Sequence, residues 1–243
     1  DLMNKMLPIS VGQAGNQVLS EMLTLDSQAQ QEKCYTSPFQ NFNSELGNYF
    51  LVDSETKVIS SLNNLAVSFQ NSVVNNNGRA NNWALGYSLS YKERNKENLV
   101  LEAYDKLVSF TEKCDFVNGF TLIYSLNGGT GSGLSSRVIS LLRQDFPKAN
   151  IMSAPVFGLK NESTTISYYN TLLSLSNVYH SVNGIIPLDN EKYFYNQGRE
   201  ISINEYKGVK GMKPKKSNFQ EVNKYFANLL LFSLFTNSYG KNV

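Results

Sequence analysis

The chain has 243 residues, of which 41% are hydrophobic and 17% charged, with a net charge of +2. This balance supports one large or two small packed domains and argues against wholesale disorder. The charge is too small to argue for nucleic acid or an anionic membrane, and no apolar run is long enough to span a bilayer.

Short apolar runs alternate with longer periodic ones, which predicts an α/β domain with a largely parallel sheet. Met6 to Val11 reads as a first strand, followed by a Gly12–Asn16 loop and a helix from about Gln17 to Leu25. Asn48 to Val52 is a second strand. Asn71 to Asn82, rich in Asn, reads as a loop. Asn98 to Glu112 carries Leu99, Ala103, Leu107, Val108 and Phe110 near helical spacing. Phe120 to Ser125 is a strand, Gly133 to Gln144 a helix and Asn150 to Phe157 a strand. Tyr168 to Tyr179 is a helix with Leu172, Leu175 and Tyr179 expected on its apolar face. Gly184 to Leu188 is the last strand. Phe219 to Phe235 is a long helix with Val222, Phe226, Leu229 and Leu230 facing inward, and its run from Phe226 reads as buried rather than membrane-spanning. Lys207 to Lys216 holds five lysines and reads as a solvated loop, with a contact for an acidic partner as the sharper alternative.

Cys34 and Cys114 are far apart, and no secretory pattern precedes them, so both are expected as reduced thiols without a disulfide partner. His180 is the single histidine and is expected to serve a helix end; no catalytic triad, Cys-His pair or metal-thiolate set can be assembled. The chain starts at Asp1 and stops at Val243 just past an apolar helical run, which is the pattern expected of a piece of a longer protein.

The most informative segment lies between the Phe120–Ser125 strand and the following helix. It contains Gly128, Gly129, Gly131 and Gly133, interleaved with Thr130 and Ser132. Glycine lets a backbone approach a ligand closely, and the helix that follows aims unpaired N–H groups back at the loop. The combination is an anion site made without a charged side chain, to which the two hydroxyls add donors. A P-loop requires a lysine that is missing here. A dinucleotide fold requires G-x-G-x-x-G and an acid at the end of the next strand, whereas that strand ends in Pro155, Val156, Phe157 and Gly158.

Ser125 to Gly133 resembles the GGGTGSG signature of the tubulin family, and other blocks agree in order. Gly12 to Gln17 resembles its first loop, GQ-C/A-GNQ. Asp53 and Glu55 fall in a VD-x-E turn, Asn81 to Gly86 in NNWA-x-G, Tyr169 and Asn170 in the YN helix, and Asp189 to Glu191 in DNE. Within the family the details of Asn82–Ser88, Leu173–Ser176, Phe219 and Asn223 lean toward the delta branch.

The resemblance implies a three-layer, Rossmann-like nucleotide-binding domain over residues 1–218, with 219–243 beginning the long helix that follows it. It implies GTP or GDP with Mg²⁺ as ligands. Gln13 and Ala14 would face the α- and β-phosphates, with Gln13 also near the metal, and Gln17 would lie near the base. Asp53 and Glu55 would hold Mg²⁺, largely through waters. Ala80, Asn81 and Asn82 would sense the γ-phosphate, while Ser125, Gly128, Gly129, Thr130, Gly131 and Ser132 would cradle the phosphates. Ser167 stands where the family commonly has an acid for the ribose, and Glu162 is displaced from that role. Asn190 and Asn223 would read guanine, and Phe219 would stack on it.

The function implied is a tubulin-type cytoskeletal subunit of the cytoplasm, acting in centriole, basal body or cilium. Its partners would be other tubulin subunits or centriole and basal-body proteins, with neither nucleic acid nor membrane. No catalytic residue is assigned, because in the family an acid from a loop beyond the long helix completes hydrolysis across a subunit contact. Little hydrolysis is therefore expected of this chain alone. A nucleotide-free assembly module and a nicotinamide-dependent oxidoreductase are the alternatives.

Overall fold

The computed structural model describes residues 6–31, 37, 39, 47–56, 59, 71–75, 78–88, 98–114, 117–159, 164–196 and 216–239. Strands β1 (Met6–Val11), β2 (Phe50–Asp53), β3 (Ser72–Val74), β4 (Gly119–Ser125), β5 (Asn150–Phe157), β6 (Gly184–Ile185) and β7 (Leu188–Asp189) form one parallel sheet in the order β3-β2-β1-β4-β5-β6, with β7 also on β5. The pairing of β1 with β4 runs from Met6 opposite Gly119 to Val11 opposite Tyr124. The chain leaves this central pair toward β2 on one side and β5 on the other. The order therefore reverses between β1 and β4, and a crevice is expected beyond their carboxyl ends.

Side-chain alternation divides the core into two halves. Leu7, Ile9 and Val11 of β1 and Phe120, Leu122 and Tyr124 of β4 join one buried cluster, whereas Met6, Ile123, Ala154 and Val156 join the other. The first cluster is covered by α3 (Leu99–Thr111) and α4 (Ser135–Asp145), through Leu99, Ala103, Leu107, Val138 and Leu142. The second is covered by α1 (Gly12–Gln31) and α7 (Lys216–Tyr239), through Val18, Leu19, Met22, Val222, Phe226 and Leu230. Helix–sheet–helix layering is the three-layer α/β architecture expected. The end helix shares a core cluster with α1.

Several local expectations change. Helix α1 begins at Gly12, not near Gln17, because Gly12 takes φ +73° and turns β1 directly into the helix. The Asn-rich segment contains β3, and a short α2 (Trp83–Tyr87) follows it, capped by the Asn82 side chain on the Ala84 N–H. The glycine loop enters α4 through a single π turn, Thr130–Leu134. Gly184 to Leu188 divides into two two-residue strands, and Asn190–Asn196 forms α6.

The largest correction concerns α5 (Thr165–Tyr179). Its buried face is Ser167, Asn170, Ser174 and Val178, while Leu172 and Tyr179, expected inside, are 66% and 69% exposed. The polar residues face inward because partners await them: Ser174 Oγ lies 3.1 Å from Ser136 Oγ, and Asn170 bonds to backbone in three places. Cys114 is a thiol whose Sγ lies 3.4 Å from both Asn48 Oδ1 and Phe110 O, and Cys34 lies outside the described residues. So do Glu162 and the lysine run up to residue 215. No described helix is long and apolar enough to cross a membrane.

Candidate functional site

At the carboxyl ends of β1 and β4, where the strand order reverses, the structure has a cleft of about 780 Å³. That volume lies in the range of small-molecule and cofactor sites. The opening turns of α1, the end of β2, the loop after β4, the start of α6 and the second turn of α7 all contribute to it. Gln13, Ala14 and Gln17 line it from α1, Asp53 and Glu55 from β2 and the turn after it, and Asn81 from the turn before α2. Ser125, Gly128, Gly129, Thr130 and Gly131 contribute the glycine loop, and Asn190, Phe219 and Asn223 the far helices. Residues as far apart along the chain as Gln13 and Asn223 thus converge on one space.

No lysine, arginine or histidine is among the described residues lining this cleft. Negative charge there would be met by backbone N–H groups. The first turn of a helix has N–H groups with no acceptor in the helix, and α1 begins at the cleft without an acidic residue in that turn. The loop after β4 delivers a second helical start at Thr130.

The loop glycines divide by cause. A Cβ on Gly129 would lie 2.4 Å from Asn82 N and 2.8 Å from Arg79 O, and one on Gly133 would lie 2.2 Å from Trp83 O. These residues are small because the turn before α2, and α2 itself, pack on the loop. Gly131 is similarly pressed on Ser125. Gly128 differs: a Cβ there would meet nothing nearer than Asn81 Oδ1 at 4.0 Å, and the position borders the cleft. Protein packing accounts for the other three glycines and not for Gly128.

Beneath the cleft, Asp53 is 3% exposed. Asn16 Nδ2 donates to its Oδ2 at 3.0 Å, and the Glu55 N–H donates to its Oδ1 at 3.2 Å. Burial pushes the Asp53 carboxyl above its ordinary range, against the lowering effect of those hydrogen bonds. Glu55 is exposed, and the Gln13 amide joins the two carboxylates in the lining. Two carboxylates and an amide are hard oxygen donors, few enough that a cation would keep several waters, which suits Mg²⁺. Among the described residues no group of three or more acidic, His or Cys side chains is placed to hold a metal ion.

Four residues expected in the site lie off its lining. Ser132 is fully buried, and its hydroxyl donates to Gly128 O at 2.6 Å inside the π turn. Ser167 turns its hydroxyl onto Thr164 O at 2.6 Å in the first turn of α5. Asn82 spends its side chain as the α2 cap, and Ala80 is exposed on the turn at φ 46°. Conversely, Ser20, Glu21, Gln220 and Ser54 line the cleft without having been expected there. Ser20 and Glu21 stand three and four residues after Gln17, and Gln220 directly follows Phe219. Helical spacing was the available signal for the first pair. Ser54 Oγ meets Thr130 Oγ1 at 2.6 Å, a contact between distant loops that no local pattern announces.

Residues 5–196 match the family described as the Tubulin/FtsZ family, GTPase domain. The mouse tubulin delta chain is 26% identical over 258 residues, covering 96% of this chain and 53% of that protein. The mouse tubulin epsilon chain is 29% identical over 172 residues, covering 63% and 34%, and the mouse tubulin beta-1 chain is 29% identical over 215 residues, covering 79% and 46%. The chain thus spans about half, or less, of the length of these curated relatives. With that match over most of its length, on a parallel sheet whose switch point opens into the cleft, the chain belongs to the Tubulin/FtsZ family.

Proposed function

We propose that this chain binds GTP or GDP with Mg²⁺ in the cleft between β1 and β4, as the nucleotide-binding part of a delta-tubulin-like cytoskeletal subunit. The observation that carries the proposal is Gly128. A glycine that packing does not require, bordering a cleft without a described cationic side chain, fits a backbone cradle for phosphate. The amides of Asn190 and Asn223 offer paired donors and acceptors suited to a guanine edge, and Phe219 offers a flat apolar face. Asp53, Glu55 and Gln13 would hold the cation, which would offset phosphate charge. Family membership supports a cytoskeletal subunit whose partners are other tubulin subunits. The long coverage by a tubulin delta chain supports the finer reading of a place in centriole, basal body or cilium.

Slow turnover by the isolated chain belongs to the same proposal. The carboxylates among the described residues lining the cleft are Glu21, Asp53 and Glu55, and the last two would be taken up by the cation. The test is a mant-GTP titration with competition by GDP, ATP and NADH, beside a single-turnover phosphate-release assay. The expected result is displacement by guanine nucleotides over ATP and NADH, with little phosphate released. Clear turnover by the monomer overturns the second part.

Ser167 favours one rival, a nucleotide-free assembly module, because its hydroxyl is held by Thr164 rather than offered to a sugar. Purified protein that releases no guanine nucleotide on denaturation and takes none up would establish that rival.

A further inference from the structure

The turn before α2 is unusual in its backbone. Ala80 and Asn81 both have positive φ, 46° and 52°, and Asn82 N donates to Arg79 O at 2.9 Å. Two central residues at positive φ closed by such a bond follow the type I′ pattern, in which glycine, asparagine and aspartate dominate. Asn81 suits its position, but an alanine at Ala80 is disfavoured by its Cβ. Such a turn persists only where its surroundings hold it.

One side chain provides much of that hold. Asn170, on the inner face of α5 and 3% exposed, uses its whole carboxamide on two loops. Its Oδ1 accepts from Trp83 N at 2.9 Å, and its Nδ2 donates to Asn81 O and to Asn127 O, each at 2.8 Å. Asn81 and Asn127 both line the cleft. The two N–H hydrogens of one amide therefore tie the turn before α2 to the loop after β4, while the oxygen secures the start of α2. The same two segments are pressed together at Gly129. No other residue type of this size supplies two donors and an acceptor in one plane.

We infer that Asn170 is a positioning residue for the phosphate end of the cleft: it joins the 79–82 turn and the glycine loop into one cradle without touching the ligand. The inference rests on the nucleotide reading above. It predicts a division between the two ends of the ligand, because Asn190, Phe219 and Asn223 lie on other elements and have none of these bonds to Asn170.

The test uses the full chain with Asn170→Ala and with Asn170→Asp, which keeps the shape and the acceptor but removes both donors. Affinities for GTP and for guanosine are measured by competition against mant-GTP, and amide hydrogen exchange at Asn82 and Trp83 is followed in nucleotide-free protein. Asn177→Ala serves as control, since Asn177 lies on the same helix but bonds to Tyr87 and Ser140. The expected result is GTP affinity about tenfold lower or more in both Asn170 variants, guanosine affinity within about twofold, and exchange at Asn82 and Trp83 about tenfold faster. The control should leave the GTP-to-guanosine ratio unchanged. An unchanged ratio in the Asn170 variants, the same ratio change in Asn177→Ala, or unaltered exchange at the turn overturns the inference. If the wild-type chain binds neither ligand, the nucleotide reading fails by itself, and the exchange measurement still decides whether Asn170 holds the turn.

Discussion

Asn16 Nδ2 stands 3.0 Å from Asp53 Oδ2 and 3.2 Å from Val52 O, while Asn16 Oδ1 accepts from Ser10 Oγ at 2.5 Å. All four residues are buried, so this amide fixes one carboxylate oxygen from below while the Glu55 N–H holds the other at 3.2 Å. In Asn16→Ala, Asp53 loses the side-chain bond that lowers its pKa, and burial raises the carboxyl further. A raised carboxyl pKa gives stability that is complete below the unfolded value and is lost as pH rises through the folded value. The variant is therefore expected to lose about 1–3 kcal/mol at neutral pH and to recover part of it on acidification. It should also need more Mg²⁺ to reach half-maximal mant-GTP affinity, and adding Asp53→Asn should remove that difference. Identical magnesium dependence in wild type and Asn16→Ala would count against Asp53 as a cation ligand.

Gly128 and Gly129 are adjacent, yet substitution should affect different properties. Gly128→Ala places a methyl group in open space at the cleft, so the melting temperature should stay close to wild type while GTP affinity falls about tenfold or more. Gly129→Ala drives a methyl group against backbone at 2.4 Å, so it should destabilise the fold by about 1–3 kcal/mol or more. Thermal melts read beside mant-GTP titrations separate the two. If Gly128→Ala binds GTP as well as wild type, the glycine cradle loses its main support.

How much of this was legible in the sequence follows from what each residue answers to. Strands β1 and β5 fall at the expected residues because each is a short apolar run between turn signals. The ordered glycine, VD-x-E and DNE blocks located most of the cleft lining, since they mark strand ends that a parallel sheet brings to one edge, and the NNWA block adds Asn81 from the turn before α2. Short-range polar bonding was not legible. Ser132 and Ser167 each close a bond onto backbone three or four residues away, so their hydroxyls never reach the cleft. Strand β3 is only three residues long and lies in an Asn-rich stretch whose composition argues for turns. The roles of Gly129 and Gly133 depend on Asn82 and Trp83, about 50 residues away, and no local pattern shows that approach.

Helix α5 gives the sharpest contrast between pattern and packing, and it can be tested directly. Leu172 is 66% exposed, whereas Ser174 is fully buried with its Oγ 3.1 Å from Ser136 Oγ and 3.4 Å from Ser132 O. Leu172→Glu is expected to change stability by no more than about 0.5 kcal/mol, while Ser174→Leu overpacks the α4–α5 contact and costs about 1–3 kcal/mol. Periodicity alone predicts the opposite ranking. Urea melts of the two variants decide, and a larger loss in Leu172→Glu would reverse the assignment of faces.

Tyr124 links the core to the loop above it. It is fully buried, its hydroxyl lies 2.9 Å from Ser153 Oγ, and it precedes Ser125 at the end of β4. Burial pushes its phenol up to about 12, above an unfolded value of about 10. Because the folded value is the higher one, the stability it confers is whole below pH of about 10 and is lost as pH rises toward about 12. The loss is about 2–3 kcal/mol from this group. Tyr104, also raised by burial and by its bond to Asp145, adds to the same slope. Tyr124→Phe should cost about 1 kcal/mol at neutral pH through the lost hydroxyl contact, then show a shallower decline between pH 10 and 12. The strand it leaves carries the glycine loop, so mant-GTP release in the wild type should follow the same alkaline transition. An alkaline slope equally steep in Tyr124→Phe would mean that other groups govern the transition and that β4 keeps its packing when the solution turns basic.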